Sequence, residues 1–192
     1  MASQTKQSLG PEGSDAPGYH NLALFSCADT VGHAQLNAWQ SWIRIPQCDV
    51  SIFGDKPEVV RQINELGLTS LAPVTRNERG RPRLDWVFQT MHERTNTNIL
   101  GYVNSDIIIL PGLAESIAAI GQELGQFLAV ARRWNVSFPH IIDFGPQWAQ
   151  EVRDFVTKHG TLYSLYAIDL FVFSRGVCAD LPPFALGSDC WD

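Results

Sequence analysis

Three small polar residues, Asn104-Ser105-Asp106, interrupt an apolar run from Asn98 to Leu110 that is rich in β-branched side chains. Such a run reads as a buried strand, and an unpaired carboxylate inside one is costly to desolvate. The triplet therefore belongs where the strand ends, at the mouth of a cleft, with Ile107 to Leu110 beginning a second short apolar segment. Asp106 then serves either as a turn carboxylate ahead of Pro111 or as a metal ligand. A lone hard oxygen ligand suits Mg²⁺ or Mn²⁺, which keep several waters and take substrate phosphates as further ligands.

Positive charge is concentrated in two places. Arg76, Arg79, Arg81 and Arg83 crowd one loop-like segment, and Arg132-Arg133 follow another apolar run. A charge run is commonly a solvated loop. In a chain of net charge −6, however, such clusters beside a strand-end cleft point to an anionic ligand, and the planar guanidinium fork suits phosphate. Asp169 precedes Leu170-Phe171-Val172-Phe173 and reads, residue by residue, as a strand-start carboxylate satisfied by backbone donors; Asp192 is the last residue. Trp134 and Trp191 lie in polar loops and could stack on a sugar, whereas Trp39, Trp42 and Trp148 fall on helix faces and belong to the core. None of the five histidines sits in a telling context.

The elements that must carry these groups alternate. Strands are expected over Asn21–Ser26, Val50–Phe53, Leu68–Val74, the run before Asn104, Gln126–Ala131 and Ile168–Ser174. Between them, apolar residues at helical spacing predict helices around Ala34–Ile43, from Pro57 to a stop at Gly67, over Leu84–Met91, from Pro111 through Ile120, and from Trp148 to Gly160. This alternation predicts an α/β layer fold with a mostly parallel sheet, in which ligands bind outside the carboxyl ends of the strands. Ser26, Gly54-Asp55 and Asn104-Ser105-Asp106 all fall at such ends.

The 192 residues suit one domain with a tail: residues 1–18 lack apolar periodicity and are expected to be disordered, leaving 19–192 as the folded unit. Apolar residues at 45% and charged residues at 18% are an ordinary globular balance. The negative net charge argues against nucleic-acid binding. The sequence predicts no integral membrane segment and no signal peptide, hence a cytoplasmic protein. Cys27, Cys48, Cys178 and Cys190 form no CxxC pair and read as reduced, scattered thiols. No phosphate-loop, dinucleotide-fingerprint, nucleophile-elbow or zincin motif is present.

Taken in order, Tyr102 to Ile108, Ala131-Arg132-Arg133-Trp134, Asp169 to Phe173, Leu181 to Gly187 and Trp191-Asp192 resemble bacterial and algal glycosyltransferases of the GT-A fold. The resemblance runs from about His20 to the end. It implies a GT-A-like (Rossmann-like) α/β/α sandwich that binds a nucleotide-diphosphate-sugar donor and a divalent cation, Mn²⁺ or Mg²⁺. Asn104-Ser105-Asp106 then stands where the family carries its DxD motif, with Asn104 replacing the first acid and Asp106 as the metal ligand. The resemblance also places Asp55 at the base or ribose, and Arg83 and Asp85 at the diphosphate and sugar. The implied reaction moves a sugar to an acceptor hydroxyl on a glycan or other molecule, and inversion would require a carboxylate as base, with Asp169 and Asp192 as candidates. Members of the family continue past the Trp-Asp pair where this chain stops, implying a partial protein or a minimal acceptor site.

Two other readings remain open. One is a sugar nucleotidyltransferase, which the lack of a Gly-rich loop after the first strand argues against. The other is a non-catalytic nucleotide- or glycan-binding module, favoured by Asn104 and the abrupt end.

Overall fold

The computed structural model describes residues 22–187. The expected tail over residues 1–18, together with Cys190, Trp191 and Asp192, lies outside them.

The sheet is built from β1 (Leu22–Cys27), β2 (Cys48–Phe53), β3 (Thr69–Leu71), β4 (Ile99–Val103), β5 (Leu128–Arg132) and β8 (Ile168–Ser174), in the order β3-β2-β1-β4-β8-β5. Strands β3, β2, β1 and β4 run parallel, whereas β8 is antiparallel to both β4 and β5. The fold is therefore α/β with a mostly parallel central sheet. Every residue of β1 and β4 is buried, which explains their unbroken apolar sequence: a central parallel strand is covered on both faces.

Helices α1 (His33–Trp42), α2 (Pro57–Glu65) and α4 (Leu113–Leu124) cover one face, where Trp39, Trp42, Val59, Ile63 and Ile117 meet Leu22, Leu24, Val50 and Ile52. Helix α3 (Leu84–Arg94) covers the other, placing Val87, Phe88 and Met91 against Phe25, Leu100, Tyr102 and Phe173. The rings of Phe25 and Phe88 meet edge-on at 5.1 Å, and Phe88 stacks on Phe173 at 5.5 Å. Helix α5 (Trp148–His159) forms a smaller cluster through Trp148 and Val152, beside a two-stranded ribbon of β6 (Trp134–Asn135) and β7 (Thr161–Leu162).

Several boundaries differ from the expected ones. Strand β2 starts at Cys48, two residues before Val50, because Cys48 and Asp49 pair with Leu22 and Ala23 of β1. The expected strand over Leu68–Val74 shrinks to three residues, since the chain leaves the sheet at Pro73, which has no N–H for the ladder. Residues 107–110, the expected short apolar segment, are irregular chain tied to α1: Trp42 Nε1 donates to the Ile107 carbonyl at 2.8 Å, and the Ile109 N–H donates to Ser41 Oγ at 3.0 Å. Helix α4 begins at Leu113 rather than Pro111, preceded by Gly112 at φ +112°.

Candidate functional site

Strand order reverses at β1, with β2 and β3 on one side and β4 on the other. In an open α/β sheet this switch opens a crevice between the carboxyl ends of the two diverging strands. Here it lies between the segment after β1, which contains Asp29, and the segment after β4, which contains Asn104, Ser105 and Asp106.

On the β4 side the chain is fixed by buried polar bonds. Ser26 Oγ, fully enclosed, donates to the Val103 carbonyl at 2.6 Å and locks the last residue of β4 to β1. The antiparallel partner β8 then brings Asp169 alongside. The Asn104 N–H donates to the Asp169 carbonyl at 2.9 Å, and Asn104 Nδ2 donates to Asp169 Oδ1 at 2.6 Å. Arg133, just past β5, donates from Nη1 to the same oxygen at 2.8 Å. Asp169 is thus satisfied mainly by side chains of two neighbouring segments, not by the backbone donors expected of a strand start. Its side chain is 6% exposed, so the ion pair is well shielded on the carboxylate side. Two acceptors of the network, Asp169 Oδ2 and Asn104 Oδ1, are enclosed and have no donor among the described residues.

Asp106 contrasts with Asp169. It lies in a turn closed by the Ile107 N–H on the Asn104 carbonyl at 3.2 Å, and its carboxylate is exposed. Among the described residues nothing donates to it. Asp106, Asp169, Arg132, Arg133 and Trp134 all line one cavity of about 430 Å³, walled otherwise by the 107–110 segment, Phe138 and α5. Trp134 is 49% exposed there. Arg133 is committed: Nε donates to Asn135 at 3.0 Å, and its guanidinium lies 4.9 Å from the Tyr163 ring centre. Arg132 is exposed and gives one N–H to the Tyr163 carbonyl, keeping other donors available.

On the β1 and β2 side, Arg76 is a hub. Its guanidinium donates to both Asp29 oxygens, at 2.9 and 2.5 Å, to Asp55 Oδ1 at 2.8 Å and to the Gly80 carbonyl at 2.9 Å. Partial burial works to raise the Asp55 carboxyl's pKa, but hydrogen bonding and charge from Arg76, with backbone donors, outweigh it and hold it below its ordinary value. Its hydrogen bonds to the Asp29 and Asp55 carboxylates hold the Arg76 pKa well up against its own desolvation. Arg83 pairs with Asp85 at the first turn of α3, and this segment is tied to the C-terminal stretch by the Leu84 N–H on the Phe184 carbonyl at 3.0 Å. The sequence-derived residues thus fall into two groups. Asp55 and Arg76 flank one side of the switch crevice, and Asn104, Asp106, Arg132, Arg133 and Asp169 gather on the other.

The three described thiols are poor nucleophiles. Burial pushes Cys27 far up and Cys48 up to about 12, and it raises Cys178 as well. Among the described residues no group of three or more His, Cys, Asp or Glu side chains could hold a metal ion. No described helix is long and apolar enough to cross a membrane.

No family model matches the chain, and no curated protein matches its sequence. Similar solved structures include Staphylococcus aureus TarS 1-349, at 13% identity over 56% of this chain and 34% of that one, with a TM-score of 0.43. The CMP:2-keto-3-deoxy-manno-octonic acid synthetase complexed with CTP is 13% identical over 82% of this chain and 76% of that one, with a TM-score of 0.47. The glycosyltransferase GlyE of Streptococcus pneumoniae TIGR4 is 18% identical over 72% of this chain and 37% of that one, with a TM-score of 0.39. The chain spans about a third of the length of TarS 1-349. At these identities and TM-scores, the reading of this chain rests on its own topology and residues.

Two participants were not singled out from the sequence. Asp29 stands two residues past β1, a strand-end carboxylate whose position alone was a signal. Asn37 was hidden on a helix face. Fully buried, it donates to the His140 carbonyl at 3.0 Å and accepts from the Ile142 N–H at 2.8 Å, holding one wall of the cavity.

Proposed function

We propose that this protein is a glycosyltransferase of the GT-A kind, moving a sugar from a nucleotide-diphosphate-sugar to an acceptor hydroxyl with the aid of a divalent cation. The observation that carries the reading is Asp106: an exposed, unengaged carboxylate held by a rigid turn at the end of the central strand β4, at the rim of a cavity. The donor set fits a hard cation. Asp106 offers its carboxylate, and the enclosed Asn104 Oδ1 and Asp169 Oδ2 are oxygen acceptors that lack donors among the described residues. With so few protein acids, the shell would be completed by water and donor oxygens, the habit of Mg²⁺ and Mn²⁺. Such an ion, when bound, neutralises charge building on the leaving diphosphate.

The chain's own groups divide the remaining work. Asp29 and Asp55, fixed by Arg76, would meet ribose or base donors on the β1 and β2 side. Arg132 would meet the diphosphate with its uncommitted N–H groups. Asp169 is given a positioning role: clamped by Asn104 and Arg133 and shielded from water, it sets the end of β4 relative to β5. The proton-accepting role stays with Asp192. Arg83 and Asp85, which pair with each other, would contact the donor where α3 begins.

Thermal shift and calorimetry with uridine and guanosine diphosphate-sugars, with and without Mn²⁺, test this. A ligand at about 100 times its Kd stabilises the native state by about 2.7 kcal/mol. That stabilisation is expected only with the cation, and Asp106→Ala should remove it. Absence of binding to any nucleotide-diphosphate-sugar with either metal overturns the proposal. Release of pyrophosphate from a nucleoside triphosphate and a sugar phosphate would instead identify a nucleotidyltransferase, and donor binding without transfer a non-catalytic module.

A further inference from the structure

The cavity beside Asp106 has a wall that a nucleotide diphosphate does not explain. Ile108, Phe138, Val152 and Val156 line it, from the segment after β4, the loop before α5, and α5 itself. They are part of the satellite apolar cluster around Trp148, and Ile108, Phe138 and Val156 are only partly buried in it. The cluster is therefore incomplete where it faces the cavity. A space of about 430 Å³ falls within the range of small-molecule sites, which are mostly apolar with a few placed polar groups.

The polar groups of the cavity constrain the head of its ligand. Asp106, Arg132, Arg133 and Asp169 come from the ends of β4, β5 and β8. Arg133 and Asp169 neutralise each other at 2.8 Å. In the donor-bound state Arg132 faces the diphosphate and Asp106 the cation. No charge is left for a charged head group, so a neutral hydrogen-bonding group fits and a carboxylate or ammonium does not.

We propose that the cavity binds the acceptor, and that the acceptor is a neutral alcohol or phenol with an apolar body. The ring or alkyl chain completes the cluster against Phe138, Val152 and Val156, and the hydroxyl faces the sheet-end groups. Calling this ligand the acceptor, and the neutrality of its head group, rest on the glycosyltransferase reading; the fit of an apolar body against the cluster does not. Asn37 contributes indirectly, since its two hydrogen bonds hold the loop that carries Phe138 and Ile142.

The test is calorimetry of the full chain with phenol, 4-ethylphenol and 4-butylphenol. Burying a methylene is worth about 0.8 kcal/mol, so affinity should rise about fourfold for each one added. Ile108→Asn and Val156→Asn should each weaken 4-butylphenol at least tenfold, while Leu128→Asn, on the exposed sheet edge, should leave it unchanged. Thermal unfolding confirms that each variant is folded, and Ile108, which lies outside any helix or strand, is the safer of the two sites. Affinity independent of alkyl length, or unaltered in both cavity variants, overturns the inference. Alkylphenol binding without nucleotide-sugar binding would overturn the glycosyltransferase reading and leave the cavity ligand standing. Nucleotide-sugar binding without alkylphenol binding would do the reverse.

Discussion

Arg76 holds together two carboxylates that would otherwise repel each other, Asp29 and Asp55, on the β1 and β2 side of the switch crevice. This has a pH signature. The Asp55 carboxyl is held below its ordinary value of 3.8, despite the opposing effect of burial, by the hydrogen bond and charge of Arg76. A carboxyl depressed on folding stabilises the native state above its unfolded pKa, and that contribution is lost as pH falls through the folded value. Arg76→Ala removes the depression and leaves two facing carboxylates. Urea titrations should find the variant less stable than the parent at pH 7, with the gap narrowing as pH drops below about 4 and Asp55 becomes protonated. A gap that persists undiminished at low pH would mean that Arg76 acts through packing and not charge. The residue-level reading of the sequence offered Arg76 as one of a cluster of arginines for an anionic ligand; in this structure four of its five guanidinium N–H donors are engaged by Asp29, Asp55 and the Gly80 carbonyl. Composition revealed the positive charge, but only the fold reveals which acids stand beside it.

At the scale of elements, the strands with unbroken apolar runs were legible and those without were not. β1, β4 and β8 were read nearly residue for residue, because burial of most of their positions leaves few polar residues to blur the runs. β5 is an edge strand with four of five residues exposed, so its limits slipped by up to two residues. The ribbon of β6 and β7, at two residues each, leaves no periodicity to read. The join between β2 and α2 was legible in kind, as Gly54 before Pro57, but its tightness was not. A Cβ added at Gly54 would lie 2.7 Å from Val59 Cγ1 and 3.0 Å from the Ala28 carbonyl oxygen. Gly54→Ala should therefore force the α2 start away from β1, at a cost of about 1–3 kcal/mol. Because Asp55 is the next residue, the same change should loosen its bond to Arg76. Val59→Ala relieves one of the two close contacts but removes buried methyl groups of its own, so the comparison is a double-mutant cycle: in the Val59→Ala background Gly54→Ala should cost less by chemical denaturation than in the parent, but still cost something. No cost in that background would show that the Ala28 carbonyl tolerates the methyl group.

Across the whole molecule the two sides of the site differ in how they are supported. The β1 and β2 side hangs from strands inside the sheet, with α1 and α2 packed behind them. The cavity side hangs from β5 at the sheet edge, where Leu128 and Val130 are 51% and 50% exposed, and from the short β6–β7 ribbon with its exposed Trp134 and Leu162. From the sequence, the strand-end positions of Asp55, Asn104 and Asp106 followed from the α/β alternation. The convergence of Arg132, Arg133 and Asp169 on Asn104 did not, because it depends on β8 running antiparallel between β4 and β5. Few buried apolar contacts and an exposed edge imply low local stability. Native-state hydrogen exchange should find amides of Leu24, Phe25, Leu100 and Tyr102 opening only through global unfolding. Amides of Ala131 and Arg132 and of the ribbon should open at a markedly lower free energy, with little dependence on denaturant. A ligand seated against Phe138 and Val156 would raise protection in the ribbon and β5 before it touched β1. Equal protection of β5 and β4 in the free protein would mean that the cavity opens only with the whole fold, and the acceptor would then have to enter a preformed site.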